Sequence, residues 1–347
     1  MPRVLTIVGA RPQFIKAAPV SRALRQAGLE EILVHTGQHF DPMMSDVFFE
    51  ELEIPKPARN LDVHGLSHGA MTARMLEGLE AAMVADKPNL VLVYGDTNST
   101  LAGGLAAAKL RIPLAHVEAG LRSFNRAMPE EVNRVLVDHV SDLLFCPTQA
   151  AVDHLAAEGI TRGVSVTGDV MYDTTLAAID KARSRSEVLA RLGVARGQYM
   201  VATIHRAENT DDPARFEQIC RYLEDMARDI QIILPAHPRT AALMRRTGRT
   251  PKGVRVVEPL GYLDMALLVN ASVGVLTDSG GLQKEAYFHR VPCVTLRDET
   301  EWVETLAAGW NRLWTDSEPQ PQRTDIPDYG DGRAAETIAS TVARFLA

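Results

Sequence analysis

Ser272-Val273-Gly274-Val275-Leu276-Thr277-Asp278-Ser279-Gly280-Gly281-Leu282-Gln283-Lys284-Glu285 passes from a β-like apolar run, through a Ser-Gly-Gly turn, into a helix-like segment that reaches His289. A strand that turns directly into a helix leaves backbone N–H groups unpaired at the positive end of the helix dipole, which suits an anion. Gly280 and Gly281 carry no Cβ, so a phosphate can approach the backbone there. Glu285 lies a turn further on, where a carboxylate can accept hydrogen bonds from the hydroxyls of a sugar such as ribose. The plainer reading is a helix start capped by Ser279, with glycines for close packing. On this stretch alone the two readings stand level.

The strand-to-helix alternation runs from end to end. β-branched runs at 4–8, 31–35, 90–94, 114–118, 143–146 and 164–167 fill the first half, and runs at 200–205, 231–234, 254–257, 273–276 and 293–296 fill the second. Helix-period segments such as 71–85, 99–110, 130–140, 214–228 and 282–288 separate them. Strands buried on both faces with helices between them describe a parallel, doubly wound sheet, and the pattern occurs twice. The expected fold is therefore α/β, with two Rossmann-like domains at 1–170 and 171–347. The charged helical segment 174–196 is the joint, and the amphipathic tail at 333–347 is expected to pack back on the first domain. Two such domains facing each other would hold a ligand in a cleft at the carboxyl ends of their strands.

Composition narrows the function. The 347 residues are 46% hydrophobic and 23% charged, ordinary for a globular protein, and the net charge of −7 argues against a nucleic-acid surface. Cys146, Cys220 and Cys293 lie far apart without metal-ligand spacing, and read as reduced thiols in a reducing compartment. No apolar run has the length of a signal peptide or a membrane span, so a cytoplasmic protein without membrane contact is expected. The fingerprint G-x-G-x-x-G does not occur, which counts against a bound nicotinamide.

Candidate functional residues fall at strand ends. Arg11 and Lys16 follow the first strand and suit a diphosphate, or are surface cations. Gln38 follows the second. Asp96, in Tyr94-Gly95-Asp96-Thr97, is a helix cap or an acid. Glu118 closes an apolar strand in His116-Val117-Glu118-Ala119-Gly120-Leu121-Arg122, where an unpaired carboxylate is costly and needs a partner or a task. In Pro129-Glu130-Glu131-Val132-Asn133-Arg134, Pro129 suits the first helical position and the glutamates favour the positive helix end. Each carboxylate alone reads as structural; Asp96, Glu118 and Glu130 converging on one cleft suggest acid–base chemistry. In the second half His205, His237 and Tyr262 follow successive strands. His205, beside Arg206, is the better ligand candidate.

These motifs, in this order, resemble the non-hydrolysing UDP-N-acetylglucosamine 2-epimerases. The resemblance covers nearly the whole chain: G-A-R-P at 9–12, Y-G-D-T at 94–97, H-V-E-A-G-L-R at 116–122, P-E-E-x-N-R at 129–134, H-R-A-E-N at 205–209, P-x-H-P at 235–238 and D-S-G-G-x-Q-x-E at 278–285. It implies the GT-B arrangement of two domains, a homodimer, and reversible interconversion of UDP-GlcNAc and UDP-ManNAc without a redox cofactor or metal. It implies that UDP leaves by anti elimination to give 2-acetamidoglucal and then re-adds. By the same resemblance Asp96, Glu118, Glu130 and His205 are catalytic. Arg11, Lys16, Ser279, Gly280 and Glu285 are implied to hold UDP, and Gln38, Arg122, Arg134, His237, Tyr262 and Gly281 are further candidates to bind the UDP-sugar. A GT-B glycosyltransferase and an inactive nucleotide-sugar sensor are the competing readings, and the three carboxylates weigh against both.

Three departures from the family pattern carry information. Arg11-Pro12-Gln13 stands where many members read R-P-E, and Thr300-Glu301-Trp302-Val303-Glu304 where many read T-E-R-P-E. Both lean toward a branch that epimerises UDP-2,3-diacetamido-2,3-dideoxyglucuronic acid, whose extra carboxylate would suit Arg122, Arg126 or Arg297. The segment 38–45 departs from the Q-H-R-E-M-L-D-Q pattern of members activated by their own substrate, so such activation is not expected here.

Overall fold

The structure, a computed structural model, describes residues 1–38, 46–317 and 319–347. From His39 to Ser45 the divergent segment noted above lies outside the described residues. The chain divides into two compact units, Met1–Thr174 with Pro327–Ala347, and Thr175–Ile326.

The first unit opens with β1 (Arg3–Val8), α1 (Arg11–Gln26), β2 (Glu30–His35), α2 (Asp46–Glu51), β3 (Arg59–Asn60) and α3 (His68–Asp86). It continues with β4 (Leu90–Tyr94), α4 (Asn98–Leu110), β5 (Leu114–Val117), α5 (Pro129–Val140), β6 (Leu143–Cys146), α6 (Gln149–Ala157) and β7 (Val164–Val166). The seven strands form one parallel sheet in the order β3-β2-β1-β4-β5-β6-β7. Leu5, Ile7, Val91 and Val93 are fully buried against Met75 and Leu79 of α3 and Ala102 and Ala106 of α4. Each such side chain contributes about 1.5–3 kcal/mol by leaving water. Small residues set the spacing of this layer. A Cβ on Gly103 would lie 2.5 Å from Ile7 Cδ1, so any larger residue there would make the Ile7 side chain shift or push α4 away from β1.

Helix α7 (Val170–Arg185) leads into the second unit, followed by α8 (Val188–Leu192), β8 (Tyr199–Thr203), α9 (Ala207–Thr210), α10 (Pro213–Met226), β9 (Gln231–Pro235) and α11 (Pro238–Thr247). Then come β10 (Val254–Val257), α12 (Tyr262–Asn270), β11 (Gly274–Thr277), α13 (Gly280–Phe288), β12 (Cys293–Thr295), α14 (Val303–Ala307) and β13 (Asn311–Leu313). Their sheet is also parallel, in the order β10-β9-β8-β11-β12-β13. Ile232, Leu234, Ala202 and Leu276 pack against Phe216, Ile219 and Leu223 of α10.

The last helix, α15 (Ala334–Leu346), belongs to the first unit, and the second unit ends at Ile326. Asp173 secures the return: its carboxylate accepts the N–H groups of Ala334 (3.2 Å) and Ala335 (2.9 Å) at the start of α15. The segment 174–196 is not one helix, because Ser186 Oγ takes the N–H of Val188 (3.2 Å) and donates to Asp264 (2.6 Å) between α7 and α8. No helix among the described residues is long and apolar enough to cross a membrane.

Candidate active site

In the first sheet the strand order reverses between β1 and β4, so their connections leave in opposite directions and open a crevice at their carboxyl ends. Gln13 ties the two turns at that crevice together. Its Oε1 accepts the N–H groups of Gly9 (2.8 Å) and Ala10 (3.1 Å), and its Nε2 donates to Tyr94 O and Thr100 Oγ1, both at 2.9 Å. Arg11 and Lys16 ride on the helix that Gln13 anchors. Gln38 accepts from Ser99 Oγ at 3.0 Å, at the start of α4.

Strand β5 stops at Val117, one residue short of the expected end, because Glu118 takes a left-handed conformation (φ 70°). That turn brings its carboxylate onto Lys16, as a salt bridge between two largely buried side chains. Gly95, also left-handed at φ 59°, leaves room for the pair. A Cβ there would sit 3.3 Å from Glu118 Oε2 and 3.4 Å from Lys16 Nζ. A small pocket beside the pair, lined by Lys16, Glu118, Pro147, Thr167, Gly168 and Asp169, has room for about one water.

Asp96, on the neighbouring turn, is paired with Arg134, and Asn133 Nδ2 donates to its backbone oxygen at 2.8 Å. Arg134 also binds Glu131 at 2.7 Å. Glu130 is exposed, one residue into α5 from Pro129. Glu131 points the other way, buried, and accepts the N–H groups of Ser123 and Phe124 at 2.9 Å. Burial alone would raise its carboxyl, but these bonds and the Arg134 charge hold it below the usual carboxylate range. Glu131 thus shapes the loop leading to Glu130.

Arg122 requires a correction. Its side chain is 1% exposed and its guanidinium is committed inward, to Asp138, to both oxygens of Glu158 and to the Leu121 carbonyl, each at 2.7 Å. It braces the fold rather than meeting a ligand. Tyr262 is similarly enclosed, at 3% exposure, so it offers no open ring face for stacking.

The second sheet reverses order between β8 and β11. Asp278, fully buried after β11, accepts the N–H groups of His205 (2.9 Å) and Arg206 (3.0 Å) and the Asn209 amide (3.0 Å). These bonds end β8 at Thr203, two residues before the expected His205. They also set the His205 ring, whose Nδ1 lies 3.3 Å from Asp278. The His237 ring is 5.4 Å from that of His205, and its Nδ1 accepts from Arg239 N at the start of α11. Ser279 caps α13, its Oγ accepting from Leu282 N at 3.4 Å, and Glu285 is half-buried on that helix.

The loop after β12 closes over this helix start. A Cβ on Gly280 would lie 2.5 Å from Glu301 Oε1 and 3.3 Å from Trp302 Nε1. Arg297 is buried between Glu208 (2.9 Å) and Glu301 (2.8 Å). The indole of Trp302, at the departure from T-E-R-P-E, lies under the Lys284 ammonium at 4.0 Å.

The family model described as UDP-N-acetylglucosamine 2-epimerase matches residues 22–343. A UDP-2,3-diacetamido-2,3-dideoxy-D-glucuronate 2-epimerase of Pseudomonas aeruginosa is 50% identical, over 99% of this chain and all of its own length. A UDP-N-acetylglucosamine 2-epimerase homolog of Methanococcus maripaludis is 51% identical over 90% of this chain and 88% of its own. The solved structure of the Methanocaldococcus jannaschii UDP-GlcNAc 2-epimerase, in complex with UDP-GlcNAc and UDP, superposes with a TM-score of 0.88 at 37% identity, covering 99% of each chain. Sequence and fold therefore agree over nearly the whole chain, and it belongs to the UDP-N-acetylglucosamine 2-epimerase family.

Proposed function

We propose that this chain is a UDP-sugar 2-epimerase that works by elimination and re-addition of UDP. The supporting observation is the pair of carboxylate–cation contacts, Asp96 with Arg134 and Glu118 with Lys16, on adjacent turns at the carboxyl edge of the first sheet. The proton on carbon 2 is too weakly acidic to leave until positive charge gathers at carbon 1, so loss of the diphosphate accompanies its removal. A carboxylate takes that proton, the C–H electron pair becomes the C1–C2 double bond, and the C1–O pair departs with UDP. Re-addition reverses each step, with the proton delivered to the opposite face. Asp96, Glu118 and Glu130 supply the acid and base. Arg11, Lys16, His205 and the N–H of Gly280 take the diphosphate charge as it develops, and the N–H of Ser279, which donates to Thr277 Oγ1 at 2.9 Å, joins them by exchanging that partner. Glu285 takes the ribose hydroxyls. In heavy water with a UDP-sugar, the enzyme should place deuterium at carbon 2 and form the manno epimer without added nicotinamide. A glycosyltransferase would do neither, and that outcome would end the proposal.

The favoured substrate is UDP-2,3-diacetamido-2,3-dideoxy-D-glucuronate. The Pseudomonas relative supports this choice, and so does Arg126. Of the three arginines considered for the extra carboxylate, Arg122 and Arg297 are committed to protein carboxylates. Arg126 is exposed in the loop between the Glu118 turn and Glu130, with no hydrogen bond or ion pair among the described residues. Arg126→Ala should lower kcat/KM for the uronate by about 10- to 100-fold, the worth of one charge-assisted hydrogen bond, and leave UDP-GlcNAc nearly unaffected. Preference of the wild type for UDP-GlcNAc would overturn the substrate assignment but not the epimerase reading.

A further inference from the structure

Behind the two turns that carry Asp96 and Glu118 lies a cluster of charged side chains in which His116, Asp138 and Arg122 are buried and Glu158 meets the solvent. His116, on β5, is 0% exposed. Its Nδ1 lies 2.7 Å from Asp138 Oδ1 and its Nε2 2.7 Å from the carbonyl oxygen of Gly95. A carbonyl oxygen only accepts, so Nε2 bears a proton. An ionised carboxylate only accepts as well, so Nδ1 bears the other. Burial alone would raise the Asp138 carboxyl, but the hydrogen bonds and charges of His116 and Arg122 hold it below the usual carboxylate range.

Through Oδ2, Asp138 accepts the N–H of Gly120 at 3.1 Å and Nη1 of Arg122 at 2.7 Å. Arg122 closes the circuit on Glu158, just past the end of α6. The buried Asp138 carboxylate is thus met by Arg122 and His116, the pairing under which a charge is tolerated in a dry interior, and Glu158 takes the outer side of Arg122 at the surface. Its backbone contacts reach out to the site. Gly95 (φ 59°) immediately precedes Asp96, and Gly120 (φ 80°) lies two residues after Glu118 (φ 70°). One carboxylate therefore grips, directly or through the imidazole, both of the left-handed turns that present the acidic groups.

We propose that His116 and Asp138 are positioning residues for the epimerisation, holding the Gly95 carbonyl and the Gly120 N–H so that Asp96 and Glu118 keep one mutual geometry. The inference rests on the epimerase reading above. Neither side chain reaches the reacting atoms. Their effect is on placement, where a displacement of about 1 Å costs on the order of 100-fold in rate.

The test separates the two contacts of one ring. The amide nitrogen of asparagine stands close to where Nδ1 was, and that of glutamine close to Nε2. His116→Gln keeps a donor for the Gly95 carbonyl, whereas His116→Asn keeps a donor only for Asp138. His116→Asn should lose about 100-fold in kcat, with KM and the UDP dissociation constant within about threefold of wild type. His116→Gln should recover at least a tenth of the wild-type rate. A packing role predicts the same loss in both variants, in step with their thermal midpoints, and that result would overturn the proposal. If neither variant folds, Asp138→Asn, which keeps the shape and removes the charge, decides. Lost turnover with UDP binding retained supports the proposal, and unchanged turnover refutes it. Deuterium incorporation by the wild type is the control for the function itself. Its absence with both UDP-sugars would sink the epimerase reading, whereas its presence beside two equal variants would sink only the positioning role.

Discussion

Replacing Gln13 by glutamate restores the residue many family members carry, yet the surroundings in this chain are built for an amide. Gln13 is 1% exposed, and its side-chain amide makes four hydrogen bonds, two accepted and two donated. Glutamate keeps the bonds from the Gly9 and Ala10 N–H groups and strengthens them if ionised, since a charged acceptor at a helix start is favoured by about 0.3–1 kcal/mol. Its second oxygen, however, would face the Tyr94 carbonyl across 2.9 Å, lone pair to lone pair. Thr100 cannot relieve this, because its hydroxyl already donates to that same carbonyl at 2.6 Å. Losing two donated bonds costs about 2 kcal/mol, and a buried carboxylate oxygen without a partner adds about 1–3 kcal/mol. The loss exceeds the gain by about 2–5 kcal/mol. The protonated acid keeps one donor and forfeits only about 1 kcal/mol. The folded state therefore raises the pKa of the new carboxyl above its unfolded value of about 4.3, because the ionised form loses more there than the acid does. A raised folded pKa means the variant loses little stability at acid pH and progressively more as pH rises through about 4 to 6, with the full deficit above that. Thermal unfolding of both proteins at several pH values from 4.5 to 8 reads this directly. A stability difference constant across that range, or a variant more stable than wild type at pH 8, would show that the Gln13 bridge is not the constraint described.

Glu118→Gln should reduce carbon 2 deuterium exchange by about 10²–10⁴-fold, the usual worth of a general acid or base, and leave UDP affinity largely intact by calorimetry. Equal loss of both would make Glu118 structural. Gly95→Ala forces a side chain into the left-handed region and against the Lys16–Glu118 pair. It should cost about 1–2 kcal/mol by thermal unfolding and depress turnover more than UDP binding. Burial, only partly offset by the Ala334 and Ala335 N–H groups, pushes the Asp173 carboxyl up to about 6. Its ionisation therefore lowers stability as pH rises through about 4 to 6, up to about 2–3 kcal/mol. Asp173→Asn, which cannot ionise, should gain on wild type by several degrees in Tm between pH 4.5 and 7.5; an offset that does not change with pH would refute this. Cys146 and Cys220, buried and raised to about 12 and about 11, should resist alkylation until the protein unfolds.

The fold was legible because both sheets are parallel and buried on two faces, so each interior strand is a short apolar run bounded by helical periodicity. The strands that escaped notice are β3, Arg59–Asn60, and β13, Asn311–Leu313, sheet edges too short and polar to carry that signal. Site positions were legible for the same reason, since a strand end is visible as the place where an apolar run stops. Side-chain direction was not. Glu130 and Glu131 are consecutive on a helix and so face about 100° apart, and only the tertiary path of the Ser123–Phe124 loop decides which is buried. Arg122 reads as a ligand cation until Asp138 and Glu158, remote in sequence, claim it.

Asp278 shows what the strand-end argument can and cannot deliver. Like Glu118 it closes an apolar strand, and the cost of burying an unpaired carboxylate marks both as needing a partner. The partners differ in kind. Asp278 is met by backbone N–H groups and an amide, fixed donors that consume its acceptor capacity and make it an anchor for His205. Glu118 is met by the ammonium of Lys16, a long side chain able to turn to an arriving phosphate. The Asp278 lone pairs are committed to fixed dipoles, whereas the Glu118 contact with Lys16 joins two side chains. The difference in partner, not the shared position at a strand end, makes Glu118 the candidate for proton transfer and Asp278 its structural counterpart.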